Sequence, residues 1–137
     1  MKRNATAVWK GSGKEGTGTL SAQSGVLKDS NYSYHTRFEN GIGTNPEELM
    51  AAAHAGCFSM KLAFVLGAAG YTPEEINTEC NITLDNGAIT TSELSVTAKV
   101  PGISEADFQK AAEEAKANCP VSKAYSMDIR LNARLQA

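Results

Sequence analysis

Short alternating segments occupy both ends of the chain, and one long apolar run lies near its middle. Ala5, Ala7 and Trp9 fall on one face of a predicted first strand. Gly11-Ser12-Gly13-Lys14-Glu15-Gly16 predicts a turn, and residues 18–24 and 31–38 follow as two further short strands. A period of two along the third strand puts Tyr32, Tyr34, Thr36 and Phe38 on one face and Ser33, His35 and Arg37 on the other. The expected result is an antiparallel meander.

The period then changes. Asn45-Pro46-Glu47-Glu48 carries a capping residue, a proline suited to the first helical position and a glutamate that completes a capping box. A helix is predicted from there to about Ala69, stopping at Gly70. Its roughly 24 residues would span about 36 Å, long for a small domain, which marks it as the central element. Residues 49–71 are apolar enough to suggest a membrane span, but His54, Ser59 and Lys61 lie near the middle among alanines and glycines. A lysine at the centre of a bilayer costs at least about 2.5 kcal/mol, so the expectation is a core helix buried on all sides, with no membrane partner.

Thr72-Pro73-Glu74-Glu75 is a second helix-start signal, but residues 76–84 soon become strand-like. Asp85-Asn86-Gly87 joins 80–84 to 88–100 as a hairpin. Pro101-Gly102 ends that strand, and Ser104 opens a helix with Phe108, Ala111, Ala112 and Ala115 on one face, reaching about Asn118. Cys119-Pro120 begins a short turn or helix, and 127–135 predicts a last strand. No repeat or linker divides the chain, so one α+β domain over residues 1–137 is expected.

Composition narrows the function classes. The 137 residues include 13 Lys+Arg and 15 Asp+Glu, a net charge of -2 that leaves no footprint for nucleic acid or an anionic membrane. Met1-Lys2-Arg3-Asn4-Ala5-Thr6 lacks the apolar core of an export peptide, which predicts a cytoplasmic protein. Cysteines in a reducing compartment are buried, catalytic or metal-binding more often than paired. Cys57, Cys80 and Cys119 contain no CxxC spacing, so no zinc site is expected.

Cys57 stands inside the central helix in His54-Ala55-Gly56-Cys57-Phe58-Ser59-Met60. A small buried hydrophobe is the plain reading. Gly56, costing roughly 1 kcal/mol against alanine in a helix, and the polar neighbours His54, Ser59 and Lys61 weaken that reading, since the missing side chain makes room for a ligand or another backbone. Cys119, before a helix-breaking proline, fits either a mobile resolving thiol or a half-buried core residue. Cys80, early in a strand without polar company, reads as structural. Arg37 and Glu47 taken singly read as a solvated strand residue and a first-turn carboxylate. His54, one turn from Cys57, suits packing or hydrogen bonding better than a Cys/His hydrolase, because no Asn or Asp is placed to orient the ring.

Together, Tyr34-His35-Thr36-Arg37-Phe38-Glu39, Gly43-Thr44-Asn45-Pro46-Glu47-Glu48-Leu49, the stretch from Ala52 to Met60 around Cys57-Phe58, and Asn118-Cys119-Pro120-Val121-Ser122 resemble the OsmC/Ohr family. The likeness runs over essentially the whole chain and lies closer to the OsmC branch. It implies an OsmC-like fold, with antiparallel sheets around a long central helix in an intertwined homodimer whose long helices are buried between subunits. It also implies a thiol peroxidase reducing organic hydroperoxides, and hydrogen peroxide more weakly, in oxidative or osmotic stress defence, without haem, flavin or metal. On that resemblance Cys57 is the peroxidatic cysteine, passing through a sulfenic acid, and Cys119 closes a disulfide with it. Arg37 assists the thiolate and Glu47 orients Arg37. A dithiol, with a lipoylated protein one possibility, restores the pair.

Elementary chemistry agrees with these roles. A thiol of pKa about 8.5 is only slightly ionised at neutral pH and needs a nearby cation, which an arginine supplies without ever deprotonating. Phe58, Met50 and Leu49 give an apolar setting suited to alkyl hydroperoxides, and such a setting opposes ionisation. Glu47 and Cys57 are ten residues apart, about 15 Å along a straight helix, so a shared site requires Arg37 as a bridge or a second subunit. Two other classes remain open: a thiol redox sensor oxidised once, and a binding protein for small hydrophobic ligands.

Overall fold

The computed structural model describes residues 1–136, in two compact units that meet in sequence at Leu49 and Met50. In the first, β1 (Ala5–Lys10), β2 (Thr17–Ala22) and β3 (Ser30–Tyr32) form the expected antiparallel meander, in the order β1-β2-β3. Register places Gly18 between Trp9 and Tyr32, whose ring centroids lie 5.3 Å apart. A Cβ at Gly18 would come within 2.5 Å of the Tyr32 ring and 2.6 Å of Trp9. Only glycine lets the two aromatic rings close over the strand.

The third strand is shorter than its alternation predicts. β3 ends at Tyr32, and Tyr34–Phe38 is a helix, α1. Ser33 is the reason: its Oγ accepts from the Thr36 amide at 3.3 Å while Thr36 Oγ1 accepts from the Ser33 amide at 2.8 Å. This reciprocal cap satisfies two donors that a strand would have left to a neighbour. Arg37 therefore sits in the last turn of α1, not on a strand face.

The long helix α2 (Pro46–Ala68) matches its predicted span. Asn45 Oδ1 accepts from the Glu48 amide at 2.7 Å, but the Glu48 carboxylate takes the Thr44 hydroxyl instead of closing the box. Gly70, at φ +93°, ends the helix: its amide reaches the Gly67 carbonyl at 3.0 Å and the Tyr71 amide reaches Leu66 at 2.9 Å. This is the paired-bond stop that a left-handed glycine permits.

The second unit holds β4 (Glu75–Asp85) and β5 (Ala88–Lys99), joined at Asn86 and Gly87, both at positive φ. Two consecutive left-handed residues give the turn whose twist matches paired strands. After α3 (Glu105–Asn118) and α4 (Pro120–Ala124), β6 (Asp128–Gln136) returns beside β5. It pairs in parallel, so this sheet is mixed where an antiparallel one was expected. Parallel pairing needs a crossover, and α3 with α4 supplies it.

His54, Phe58, Leu62 and Leu66 recur every four residues along α2 and are wholly buried. The three apolar members pack with Leu94, Val96 and Ala98 of β5 and Phe108, Ala111, Ala112 and Ala115 of α3. Although α2 is long and apolar enough to cross a membrane, this stripe makes it a core helix. It is not buried on all sides as the sequence predicts: Met60 and Phe64 are 65% and 69% exposed, and Ala53 and Gly56 lie open with them. The single chain thus leaves an apolar helix face uncovered.

Candidate active site

The cysteines lie in the second unit and all are free thiols. Cys57 is half-buried on α2, and Cys119 is fully buried at the N-cap of α4. Of the two readings left open for Cys119, a mobile exposed thiol is excluded in this state. Burial pushes the Cys57 thiol up from its ordinary range, and the adjacent Cys119 thiol pushes the same way. The Val121 backbone N–H and the Lys61 ammonium oppose this, with less effect. Taken together, the surroundings of Cys57 within this unit oppose formation of its thiolate.

Behind the two thiols is a buried polar cluster. His54 Nδ1 lies 2.6 Å from Ser92 Oγ on β5, and Nε2 lies 2.8 Å from Ser122 Oγ on α4. Both ring nitrogens are thus engaged by hydroxyls, so the imidazole is not free to act as a base toward Cys57. The expected packing or hydrogen-bonding role of His54 is what the structure contains. Desolvation lowers its pKa, which keeps the ring neutral at pH 7. Tyr125 stands edge-on to the imidazole, centroids 5.1 Å apart, and donates its hydroxyl to the Met50 carbonyl at 2.9 Å.

Cys80 was expected to lack polar company. Its Sγ is 3.2 Å from Ser92 Oγ, which places it at the end of the Ser122–His54–Ser92 chain. The partner lies across the hairpin rather than nearby in sequence, so a reading of the Cys80 segment alone cannot find it. Burial raises the Cys80 thiol's pKa, outweighing the hydrogen bond shared with Ser92.

Arg37 and Glu47 meet in the first unit. Arg37 Nε and Nη2 both reach Glu47 Oε1, each at 2.9 Å. Glu47 is 8% exposed and its Oε2 has no partner among the described residues. A buried carboxylate anchoring one edge of a guanidinium fixes the direction of that group and leaves its other edge for an anion. Asn45, the cap of α2, also donates to the Thr36 carbonyl at 3.1 Å and so ties α1 to the start of that helix. Among the described residues no cluster of His, Cys, Asp and Glu suits a metal ion.

Residues 38–133 match the family model described as OsmC-like protein. The chain is 45% identical to peroxiredoxin OsmC of Escherichia coli, over its full length and 99% of that protein. Over 105 residues it is 31% identical to an organic hydroperoxide resistance protein-like 2 of Staphylococcus epidermidis, covering 72% of each. An organic hydroperoxide resistance protein of Elizabethkingia anophelis has a similar solved structure, with TM-score 0.71 and 26% identity over 99% of this chain and 96% of that one. The family model and these relatives, together with the α+β fold, show that this chain belongs to the OsmC-like family.

Proposed function

We propose that this protein is a cysteine-based peroxidase that reduces organic hydroperoxides to alcohols in stress defence. The observation that carries the reading is a pair of free thiols, Cys57 on α2 and Cys119 at the head of α4, near enough for Cys119 to oppose ionisation of Cys57. The named activities of its relatives, a peroxiredoxin and organic hydroperoxide resistance proteins, support it.

In the proposed cycle the Cys57 thiolate attacks the distal oxygen of ROOH. The O–O bond breaks, the alkoxide leaves and takes up a proton as ROH, and sulfur becomes a sulfenic acid. The Cys119 sulfur then attacks the Cys57 sulfur and water leaves, giving a disulfide. An external dithiol reduces it by exchange and is itself oxidised. Arg37, held by Glu47, supplies the positive charge that Lys61 and the Val121 amide do not provide in full, and its free edge hydrogen-bonds the peroxide oxygens. The cycle as written uses sulfur chemistry alone. The reductant is a small dithiol or a lipoylated protein.

The whole chain acts as one OsmC-like domain within a homodimer. The uncovered face of α2, with Ala53, Gly56, Met60 and Phe64 at helical spacing, supports that assembly: it is apolar, and at Gly56 no side chain holds a second helix away. Three free cysteines fit a reducing cytoplasm.

Steady-state reduction of cumene hydroperoxide and of hydrogen peroxide, with excess dithiothreitol as reductant, tests the reading. Many turnovers per chain are expected, faster with the organic peroxide and abolished in Cys57→Ser. A single oxidation per chain would make the protein a sensor, and no oxidation would leave a hydrophobic-ligand binder.

A further inference from the structure

Cys119 stands between two helices: its amide ends α3 on the Ala115 carbonyl at 2.9 Å, and it is the N-cap of α4, a short helix that cannot fix its own direction. α4 has five residues, well below the length at which an isolated helix is stable, and Cys119 makes no side-chain capping bond. Its place is set by tertiary tethers. Ser122 on α4 meets His54 Nε2 at 2.8 Å, and Tyr125, the C-cap of α4, donates to the Met50 carbonyl at 2.9 Å. Both tethers end on α2, the helix that bears Cys57.

The spacing is matched on the two elements. His54 precedes Cys57 by three residues and Ser122 follows Cys119 by three. The hydrogen bond therefore crosses between the helices about one turn from each thiol. His54 is held on its far side by Ser92 of β5 at 2.6 Å and is wholly buried, so it is a rigid anchor. The geometry points to His54 and Ser122 as positioning residues for the second half of the peroxidase cycle, setting where Cys119 Sγ stands when Cys57 is a sulfenic acid. This inference rests on the roles proposed above for the two cysteines.

Position matters most at that step. A disulfide needs an S–S distance near 2.05 Å and a narrow range of Cα separations, so a small drift of α4 removes reactive geometries. The sulfenic acid has a competing fate. A second hydroperoxide transfers its distal oxygen to the same sulfur and leaves as the alcohol, forming a sulfinic acid that thiols do not reduce. A loosened α4 thus shifts the outcome from disulfide to sulfinic acid without involving the attack on the first peroxide.

The test is a split between the two steps in the full chain. Reduced protein is mixed with one equivalent of cumene hydroperoxide, following alcohol release for the first step and loss of the second thiol for disulfide closure. Ser122→Ala is expected to slow closure about tenfold, equivalent to about 1.4 kcal/mol, a value in the range of one buried hydrogen bond. First-step kinetics should change by less than about twofold. At several equivalents of peroxide, sulfinic acid at Cys57 should accumulate by mass spectrometry, and Ser122→Thr, which keeps the hydroxyl, should restore closure.

Tyr125→Phe removes the other tether, and slowed closure is expected there too, which keeps the test sound if Ser122→Ala folds poorly. Closure at the wild-type rate in Ser122→Ala and Tyr125→Phe overturns the inference while leaving the peroxidase intact. Equal slowing of both steps, or a folded Ser122→Thr that does not recover, also overturns it by showing general loosening. Absence of alcohol release in the wild type overturns the functional reading and this one with it.

Discussion

Replacing His54 by alanine probes the polar core behind the thiols. The ring is wholly buried and both nitrogens are hydrogen-bonded, to Ser92 at 2.6 Å and Ser122 at 2.8 Å. Alanine leaves two buried hydroxyls without this partner, at about 1–3 kcal/mol each, partly offset if water enters the space. It also removes the ring packed on Tyr125. The expected loss is about 2–4 kcal/mol at pH 7.5, a large share of a small domain's stability. Acid should reduce that difference. The folded-state pKa of His54 is depressed by desolvation, so protons bind the unfolded ring more readily. The resulting penalty is absent above the unfolded pKa of about 6.5 and grows as pH falls through it toward the folded value. Wild type should therefore lose stability from pH 7 to about 5.5 more steeply than His54→Ala. Urea unfolding by far-UV circular dichroism, at fixed protein concentration, measures both quantities. A destabilisation under about 0.5 kcal/mol, or parallel pH profiles, would refute the account of a buried neutral histidine bridging two serines.

Two more predictions concern charge and assembly. Arg37→Ala should lower kcat/KM for cumene hydroperoxide by at least about a hundredfold with far-UV circular dichroism unchanged, and Arg37→Lys should recover only part, because lysine lacks the fork that Glu47 holds. Activity within a few-fold of wild type in Arg37→Ala would remove the arginine from the mechanism. Phe64→Asp places a charge on the uncovered face of α2, where Phe64 is 69% exposed in the single chain. Sedimentation should show the proposed dimer weakened at least about tenfold; an unchanged dimer would move the interface elsewhere, and a monomeric wild type would remove the dimer from the account.

The elements legible in the sequence were those whose signals are local. The Asn45 cap and glycine stop of α2, the Asn86-Gly87 turn and the four alanine or phenylalanine positions of α3 act within a few residues, and the structure reproduces them, although Glu48 binds Thr44 instead of completing the capping box. Residues 33–38 misled because alternation of apolar and polar side chains fits a strand, whereas the Ser33–Thr36 cap decides for a helix. That Ser-x-x-Thr spacing was available as a signal. The parallel return of β6 depends on a crossover and leaves no local mark. Cys57, Cys119, Arg37 and Glu47 could be singled out by family pattern; Arg37 and Glu47 form an ion pair, and Cys119 lies near enough to Cys57 to influence its ionisation. Ser92, Ser122 and Tyr125 could not: their partners are 38, 68 and 75 residues away, and a serine in a strand has no pattern that announces a buried histidine. Burial of α2 on one side only was equally hidden, because an all-round apolar helix does not say what covers it.

The central claim is that Cys57 and Cys119, and not Cys80, carry the redox chemistry. The direct measurement treats fully reduced protein with one equivalent of cumene hydroperoxide, alkylates the remaining thiols and maps the peptides by mass spectrometry. The account predicts a Cys57–Cys119 disulfide in nearly every chain, Cys80 alkylated, and one equivalent of cumyl alcohol released. A disulfide that includes Cys80, or alcohol released while Cys57 remains alkylatable, would contradict it.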